Sequence, residues 1–268
     1  MATGTATAAH AASARIGRST QSNADPVKVV EVPCPGDTTP YVGGGAVDYG
    51  PAGNTGVALT SIVPDQALRA VVVTATAPPG QTSDWALVGY AICTTQGDPD
   101  VVIRSGLGAA VATCPGGDTL FGVGFHVAGD PAVGHVTGID LNAQVAGVLV
   151  TAGGPGAAST QVTAVAVCQT ETAPPRMVHA VNDDLGWPKL VVRQDHDSQG
   201  KPYATGAKVT GPEAATLDAV VPASDGGVSW ARGTLYGGSA PQPLVGSADG
   251  EGDDGSVSLE TSLIGTFH

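Results

Sequence analysis

Short apolar runs recur in the same order three times along this chain. Each series begins at a glycine, Gly45, Gly124 or Gly206, and an apolar segment follows directly. Two further apolar runs follow each glycine, at 57–63 and 68–75, at 136–141 and 146–151, and at 216–221 and 228–235. A long recurrence with matching internal order indicates one supersecondary unit that is used repeatedly.

The runs have the length and the composition of β-strands. In 161–168, Val165 and Val167 fall on one face of an extended chain, whereas 68–75 is apolar on both faces. No segment joins a sustained helical period to a plausible cap. The sequence therefore predicts an all-β fold of three tandem repeats of roughly 75–80 residues. Two arrangements remain open: a pseudo-threefold, β-prism-like domain, or small β-sheet units in tandem.

The repeats divide the chain into segments. These are a polar N-terminal arm at 1–26, β repeat 1 at 27–95, β repeat 2 at 101–170, a proline-containing linker and insertion at 171–189, and an acidic β repeat 3 without cysteine at 190–268. The insertion has no counterpart earlier in the chain. A free arm of this composition is disordered, so we expect an ordered arm from Met1 to Asn23 to be held by a protein partner or a second copy.

Composition narrows the core and the partners. Aromatic residues make up only 4% of the chain, so the core must be built mainly from Val, Ala, Leu and Ile. The 24 acidic residues outnumber the 11 basic ones and give a net charge of −13. Such a surface repels nucleic acid and anionic membranes. No apolar run is long enough to span a bilayer, and we expect no membrane span.

Four cysteines lie at matching places in the first two repeats. Cys34 and Cys114 open a repeat, and Cys93 and Cys168 each end its last apolar run. This repetition predicts the disulfides Cys34–Cys93 and Cys114–Cys168, and disulfides indicate a location outside the cytoplasm. Zinc is disfavoured because no C-x-x-C pair occurs. Buried free thiols in a reducing compartment remain the alternative.

The first repeat resembles a known pattern. Cys34-Pro35-Gly36, then Gly43-Gly44-Gly45, and a final strand ending in Ile92-Cys93 resemble a repeat of actinobacterial extracellular and actinophage-type proteins. The second repeat has Cys114-Pro115-Gly116 and Ala166-Val167-Cys168. The third repeat departs furthest from the pattern. The resemblance implies an exported or particle-borne β module and carries no established reaction.

Two acidic loops are candidates for a calcium site. Asp195 and Asp197 stand at alternate positions before a glycine, as in calcium loops, but the closing acidic residue is missing because Gly206 stands there. In the second loop, Asp249, Glu251 and Asp253 alternate with glycine and could converge on a cation. An ordinary exposed turn is the competing interpretation of both loops. No other cofactor is expected.

The remaining candidates are a surface contact and a catalytic cluster. Trp187, in the irregular insertion, is the best candidate for binding a partner or a surface glycan. His179, Asp183, Asp195 and His196 form the densest polar cluster and could serve a hydrolase. The motifs G-x-S-x-G, H-E-x-x-H and the P-loop are absent.

Three functions follow from these observations. We favour a non-enzymatic structural or interaction protein of an extracellular assembly, most plausibly a bacteriophage virion component such as a tail, fibre or decoration protein. The first alternative is a secreted actinobacterial surface protein that binds a glycan or polymer. The second alternative is a hydrolase that uses the His/Asp cluster.

Overall fold

The structure is a computed structural model. It describes residues 14–50, 56–65, 67–95, 99–142, 146–170, 176–182, 189–194, 201–222, 228–237 and 258–266, and all structural statements concern these ranges. Within them no helix is long and apolar enough to cross a membrane. The helical content of these ranges is one 3₁₀ turn at Ala157–Ser159.

Eighteen strands make up the described chain, which is therefore all-β as the sequence predicts. The first third contains β1 (Ala14–Ser19), β2 (Val27–Pro33), β3 (Thr39–Asp48), β4 (Ala58–Pro64), β5 (Ala70–Thr76) and β6 (Ala86–Thr94). The second contains β7 (Asp100–Leu107), β8 (Ala109–Thr113), β9 (Thr119–Val127), β10 (His135–Leu141), β11 (Gly147–Gly153) and β12 (Gln161–Gln169). The last contains β13 (Arg176–Asn182), β14 (Lys189–Gln194), β15 (Lys201–Thr210), β16 (Ala215–Val221), β17 (Val228–Leu235) and β18 (Ser258–Thr266).

The strands form three antiparallel sheets of six strands. Sheet I has the order β1-β6-β3-β16-β17-β14, sheet II β2-β5-β4-β9-β12-β7, and sheet III β13-β18-β15-β10-β11-β8. Each sheet joins three strands from one third of the chain to three from another. Small sheet units in tandem, one of the two arrangements expected, are therefore wrong, because no third of the chain forms a sheet of its own.

The two halves of each sheet meet at a seam where glycine is required. The seams are β3–β16, β4–β9 and β10–β15. A Cβ on Gly44, Gly124 or Gly206 would lie 2.7, 2.5 or 2.3 Å from a carbonyl oxygen of the facing strand. Real Cβ atoms do not come that close to backbone, so only glycine lets the strands approach. In the first third the glycine with this close contact is Gly44. The sequence comparison matched Gly45, its neighbour, with Gly124 and Gly206.

Beside each seam the facing strand carries an irregularity of one residue. The register shifts between Leu59 and Ser61 in β4, between Val136 and Gly138 in β10, and between Leu217 and Ala219 in β16. Each shift is a β-bulge, which leaves one residue out of the ladder and can re-aim its side chain. The bulged residue of β16 is Asp218.

One continuous core joins the three sheets. Its fully buried side chains come from every sheet and include Leu59, Ile92, Phe125, Ile139 and Leu217. Aliphatic residues dominate it, as the low aromatic content predicts, and each fully buried side chain of this size contributes about 1.5–3 kcal/mol. Trp85 is also fully buried in this core.

Both cysteine pairs stand at disulfide distance, in the pairing predicted from the sequence. The Cα–Cα distances are 5.7 Å for Cys34–Cys93 and 5.5 Å for Cys114–Cys168. Cys34 follows β2 in sheet II and Cys93 lies in β6 of sheet I, whereas Cys114 follows β8 in sheet III and Cys168 lies in β12 of sheet II. Each bond therefore ties one sheet to another. Two such bonds fit an extracellular protein.

Two strands lie where none was expected. β1 falls within the segment interpreted as a polar arm, and it pairs along its whole length with β6 of the same chain. β13 falls in the insertion and pairs with β18. β1, β7 and β13 each form an edge of one sheet. The segments interpreted as an arm and an insertion therefore each contain a strand, and the period-two alternation in both segments was too short to reveal it.

Candidate functional site

An open apolar groove lies on the outer face of sheet II. It has a volume of about 470 Å³, and its lining includes Val63, Leu68, Val101, Ile103 and Val165. A volume of this order suits a small ligand or a few side chains of a partner. Asp65 at the rim is its acidic residue.

The groove is lined by residues of three strands of sheet II, β4, β12 and β7. Gly124 in β9 pairs with Val165 of β12 on one side, and β9 pairs with β4 on the other. One wall is β7, whose Ile103 pairs with Val165 and is 56% exposed.

Leu68 is held over the groove in an uncommon backbone conformation. Its φ is +51°, the positive-φ non-glycine residue of the described chain. Asp65 holds this turn, since its Oδ1 accepts from the backbone N–H groups of Arg69 at 2.6 Å and Ala70 at 3.1 Å. Non-glycine residues at positive φ cost about 1–2 kcal/mol and cluster at functional sites.

At the corresponding place in sheet I stands a charged side chain, Arg15. Ala14 pairs with Cys93 and Asp100 pairs with Cys168, so Arg15 of β1 holds the position that Val101 holds in β7. Arg15 donates a hydrogen bond to the Pro222 carbonyl at 3.2 Å, and its guanidinium lies 5.4 Å from the centre of the Tyr90 ring.

The seam glycines of the other two sheets are also covered by side chains. Pro222 lies 2.3 Å from where a Cβ of Gly44 would be, and Leu141 lies 2.9 Å from that of Gly206. At Gly124 the nearest side-chain atom, Cβ of Val165, lies 3.3 Å from the Cβ position.

A buried ionic cluster lies at the seam of sheet I. Asp218, the bulged residue of β16, is fully buried and accepts from Nε of Arg232 at 2.9 and 3.0 Å. The Tyr49 hydroxyl donates to its Oδ2 at 2.8 Å. Arg232 also donates to the Val47 carbonyl and lies over the Tyr49 ring at 5.0 Å.

Burial governs the ionisation of this cluster. Burial raises the pKa of Asp218, although the Arg232 guanidinium and the Tyr49 hydroxyl oppose that shift. Burial and the neighbouring Asp218 carboxylate raise the pKa of Tyr49 well above its ordinary value. The carboxylate and guanidinium satisfy each other, and the cluster contacts the first and last thirds of the chain. Its chemistry is that of a buried structural ion pair, which holds the seam in register.

Two of the other buried polar side chains, His135 and Lys28, have aromatic neighbours. His135 stacks on the Tyr236 ring at 6.2 Å, and its Nδ1 lies 2.9 Å from the Pro131 carbonyl oxygen. The Lys28 amine lies 4.9 Å from the centre of the Trp85 ring, and it donates to the Gln21 carbonyl at 3.1 Å and to Asn23 Oδ1. Neither group faces the groove.

The metal and partner residues expected from the sequence lie outside the described residues. They are Trp187, Asp195, Asp197, Asp249, Glu251 and Asp253. The calcium site therefore stays a prediction. The described ranges hold no group of three or more His, Cys, Asp or Glu residues placed to bind a metal.

The cluster proposed for a hydrolase is also mostly outside the description. Asp183, Asp195 and His196 lie outside it, and His179 is placed by its backbone in β13, opposite Ser262 of β18. Sequence reasoning missed Asp218 and Arg232. The available signal was a single aspartate inside the apolar run 216–221, since a charge in a buried strand requires a partner.

No protein-family model matches the chain, and no curated protein matches it.

Proposed function

We propose that the chain consists of three copies of one six-stranded unit around a pseudo-threefold axis, in a β-prism-like arrangement. Three observations support this proposal. The sheets share one strand order, each seam has a glycine on one strand and a bulge on the other, and a single core serves all three sheets. In each unit, the first, sixth and third strands enter one sheet, and the fourth, fifth and second enter another.

We further propose that the protein is a non-enzymatic structural or interaction protein of an extracellular assembly. Among such proteins we favour a component of a bacteriophage virion, such as a tail, fibre or decoration protein. The observation that carries the proposal is the open apolar groove on sheet II, where Val101 takes the position that Arg15 has in sheet I. An apolar surface left open on a scaffold braced by disulfides suits contact with another protein.

The buried charges agree with this role. Asp218 and Arg232 form hydrogen bonds with each other at the seam of sheet I. Asp218 also accepts from Tyr49, and Arg232 also donates to the Val47 carbonyl. Stable sheets with a fixed register suit a protein that presents a surface.

One observation favours the secreted alternative, a surface protein that binds a glycan or polymer. Disulfides form in oxidising compartments, whereas virions assemble in a reducing cytoplasm. The intact mass of the native protein distinguishes the secreted protein from the virion component. Removal of a leader within Met1–Ala14 supports secretion, and an intact start supports the virion component.

Assembly tests the proposal as a whole. We expect the full chain, in oxidising buffer, to form oligomers that grow with concentration in light scattering after size exclusion. His179→Ala and His196→Ala should leave folding and assembly unchanged. A monomer at every concentration would contradict the proposal, and a hydrolytic activity that either substitution abolishes would favour the hydrolase instead.

A further inference from the structure

The edge strand β7 leaves apolar side chains exposed beside the groove. Ile103 is 56% exposed and Leu107 is 69% exposed, and β7 pairs with β12 on one side only. An exposed apolar edge strand invites pairing with another strand. In the corresponding edge strand of sheet I, Arg15 and Gly17 stand where β7 has Val101 and Ile103. That edge therefore lacks these two apolar side chains.

We propose that β7 pairs antiparallel with β7 of a second copy of this chain, about a twofold axis at Val102. The inference rests on the proposed function, because it names the surface through which the protein would assemble. A twofold contact uses the same patch on both copies, so the strand must be complementary to itself.

The sequence of β7 meets that requirement in one register. With Val102 facing Val102, Asp100 of each copy faces Arg104 of the other, and Val101 faces Ile103. Opposite charges and apolar pairs directly across two strands are both stabilising. The interface then has two Asp100–Arg104 pairs, and their charges select both the orientation and the register.

Neighbouring registers are poorer. Centring the axis on Ile103 places Arg104 opposite Val102 and leaves Asp100 opposite Gly106. Centring it on Arg104 places two guanidinium groups together, and like charges directly opposite are destabilising. The Val102 register is therefore the one that the charges favour.

The pairing also explains the groove. Val101 and Ile103 line it, so joining two β7 strands places two grooves side by side across the axis. Each Ile103 is then covered by Val101 of the second copy. Arg104 Nη1 now donates to the Ile103 carbonyl at 2.8 Å. In the pair, Arg104 turns to Asp100 of the second copy and releases that carbonyl for the new ladder.

A charge swap tests the interface. Sedimentation equilibrium of the full chain should give a dimer, and Arg104→Asp or Asp100→Arg alone should weaken it about tenfold. The double variant Asp100→Arg/Arg104→Asp should restore the dimer, because both copies carry the exchanged pair. Arg18→Asp, on the edge of sheet I, is the matched control and should leave the dimer unchanged. Circular dichroism should be the same for all variants, since these side chains are exposed.

The outcomes separate this inference from the proposed function. Weakening by both single changes with recovery in the double variant supports the β7 interface. If the two single variants and the double variant all oligomerise as the wild type does, the β7 interface is wrong but the proposal of assembly is not affected. A chain that is monomeric at every concentration overturns both.

Discussion

Removal of Arg232 should reveal how the seam of sheet I is held. In Arg232→Met the aliphatic stem is kept, but Asp218 loses the two contacts from Nε at 2.9 and 3.0 Å and keeps the Tyr49 hydroxyl at 2.8 Å. Asp218 is 0% exposed, so its carboxylate would stay buried without its cationic partner. Breaking a buried ion pair from one side costs about 3–5 kcal/mol. We expect a loss of that size in urea unfolding at neutral pH.

The double variant should be less harmful than this single change. Asp218→Leu/Arg232→Met removes both charges, and replacement of a buried pair by apolar residues is often neutral. Tyr49 keeps an acceptor, the Val57 carbonyl at 3.3 Å. Arg18→Met, which removes an exposed arginine, is the control and should change stability by no more than about 0.5 kcal/mol.

The pH dependence gives the sign of the effect. Burial raises the pKa of Asp218 in the folded protein above its ordinary value, and loss of Arg232 raises it further. The free-energy cost of burying the ionised Asp218 carboxylate is therefore complete above the folded-state pKa. It decreases as the pH falls below that pKa and is gone below the unfolded-state pKa. Arg232→Met should regain stability relative to the wild type on acidification. A cost below about 1 kcal/mol, or a deficit that grows on acidification, would refute this account of the cluster.

Two other changes test the bonds and the seams. Replacing Cys34 and Cys93 by Ala should lower the free energy of unfolding by about 4 kcal/mol, because the loop closed by that bond is long. Urea unfolding with and without reductant measures this loss. An unchanged urea midpoint would count against a bond between these cysteines. Gly124→Ala should cost about 1–3 kcal/mol, since its Cβ would lie 2.5 Å from the Ile62 carbonyl oxygen, whereas Gly116→Ala, with open space around it, should be neutral by the same measurement. Equal effects of the two glycine changes would contradict the close approach at the seam.

Much of the fold could be predicted from the sequence because apolar runs bounded by turns mark strands directly. The runs 136–141 and 216–221 became β10 and β16 within one residue. The cysteine pairing followed from the repeated positions of Cys34 and Cys114. Local patterns of this kind depend on neighbours in the chain.

Pairing between distant strands could not be predicted in the same way. β3 pairs with β16 in sheet I, and nothing local in either strand specifies a partner in the other third of the chain. The groove likewise depends on which distant strands lie side by side in the sheet. It exists because Val101 stands where β1 has Arg15, and that correspondence becomes visible only when β1 and β7 are both recognised as edge strands.

A third disulfide tests the triplication most directly. Cys93 and Cys168 pair with the first residues of β1 and β7, and Gly265 pairs with Arg176, the first residue of β13. Asp195 follows β14 in the chain as Cys34 follows β2. If the three units are equivalent, Asp195→Cys/Gly265→Cys should form a bond between the two new cysteines. Intact mass after alkylation of the folded, unreduced protein should then show no modified thiol, whereas either single variant should show one. Modification of both new cysteines in the folded double variant would contradict a threefold repetition of the unit.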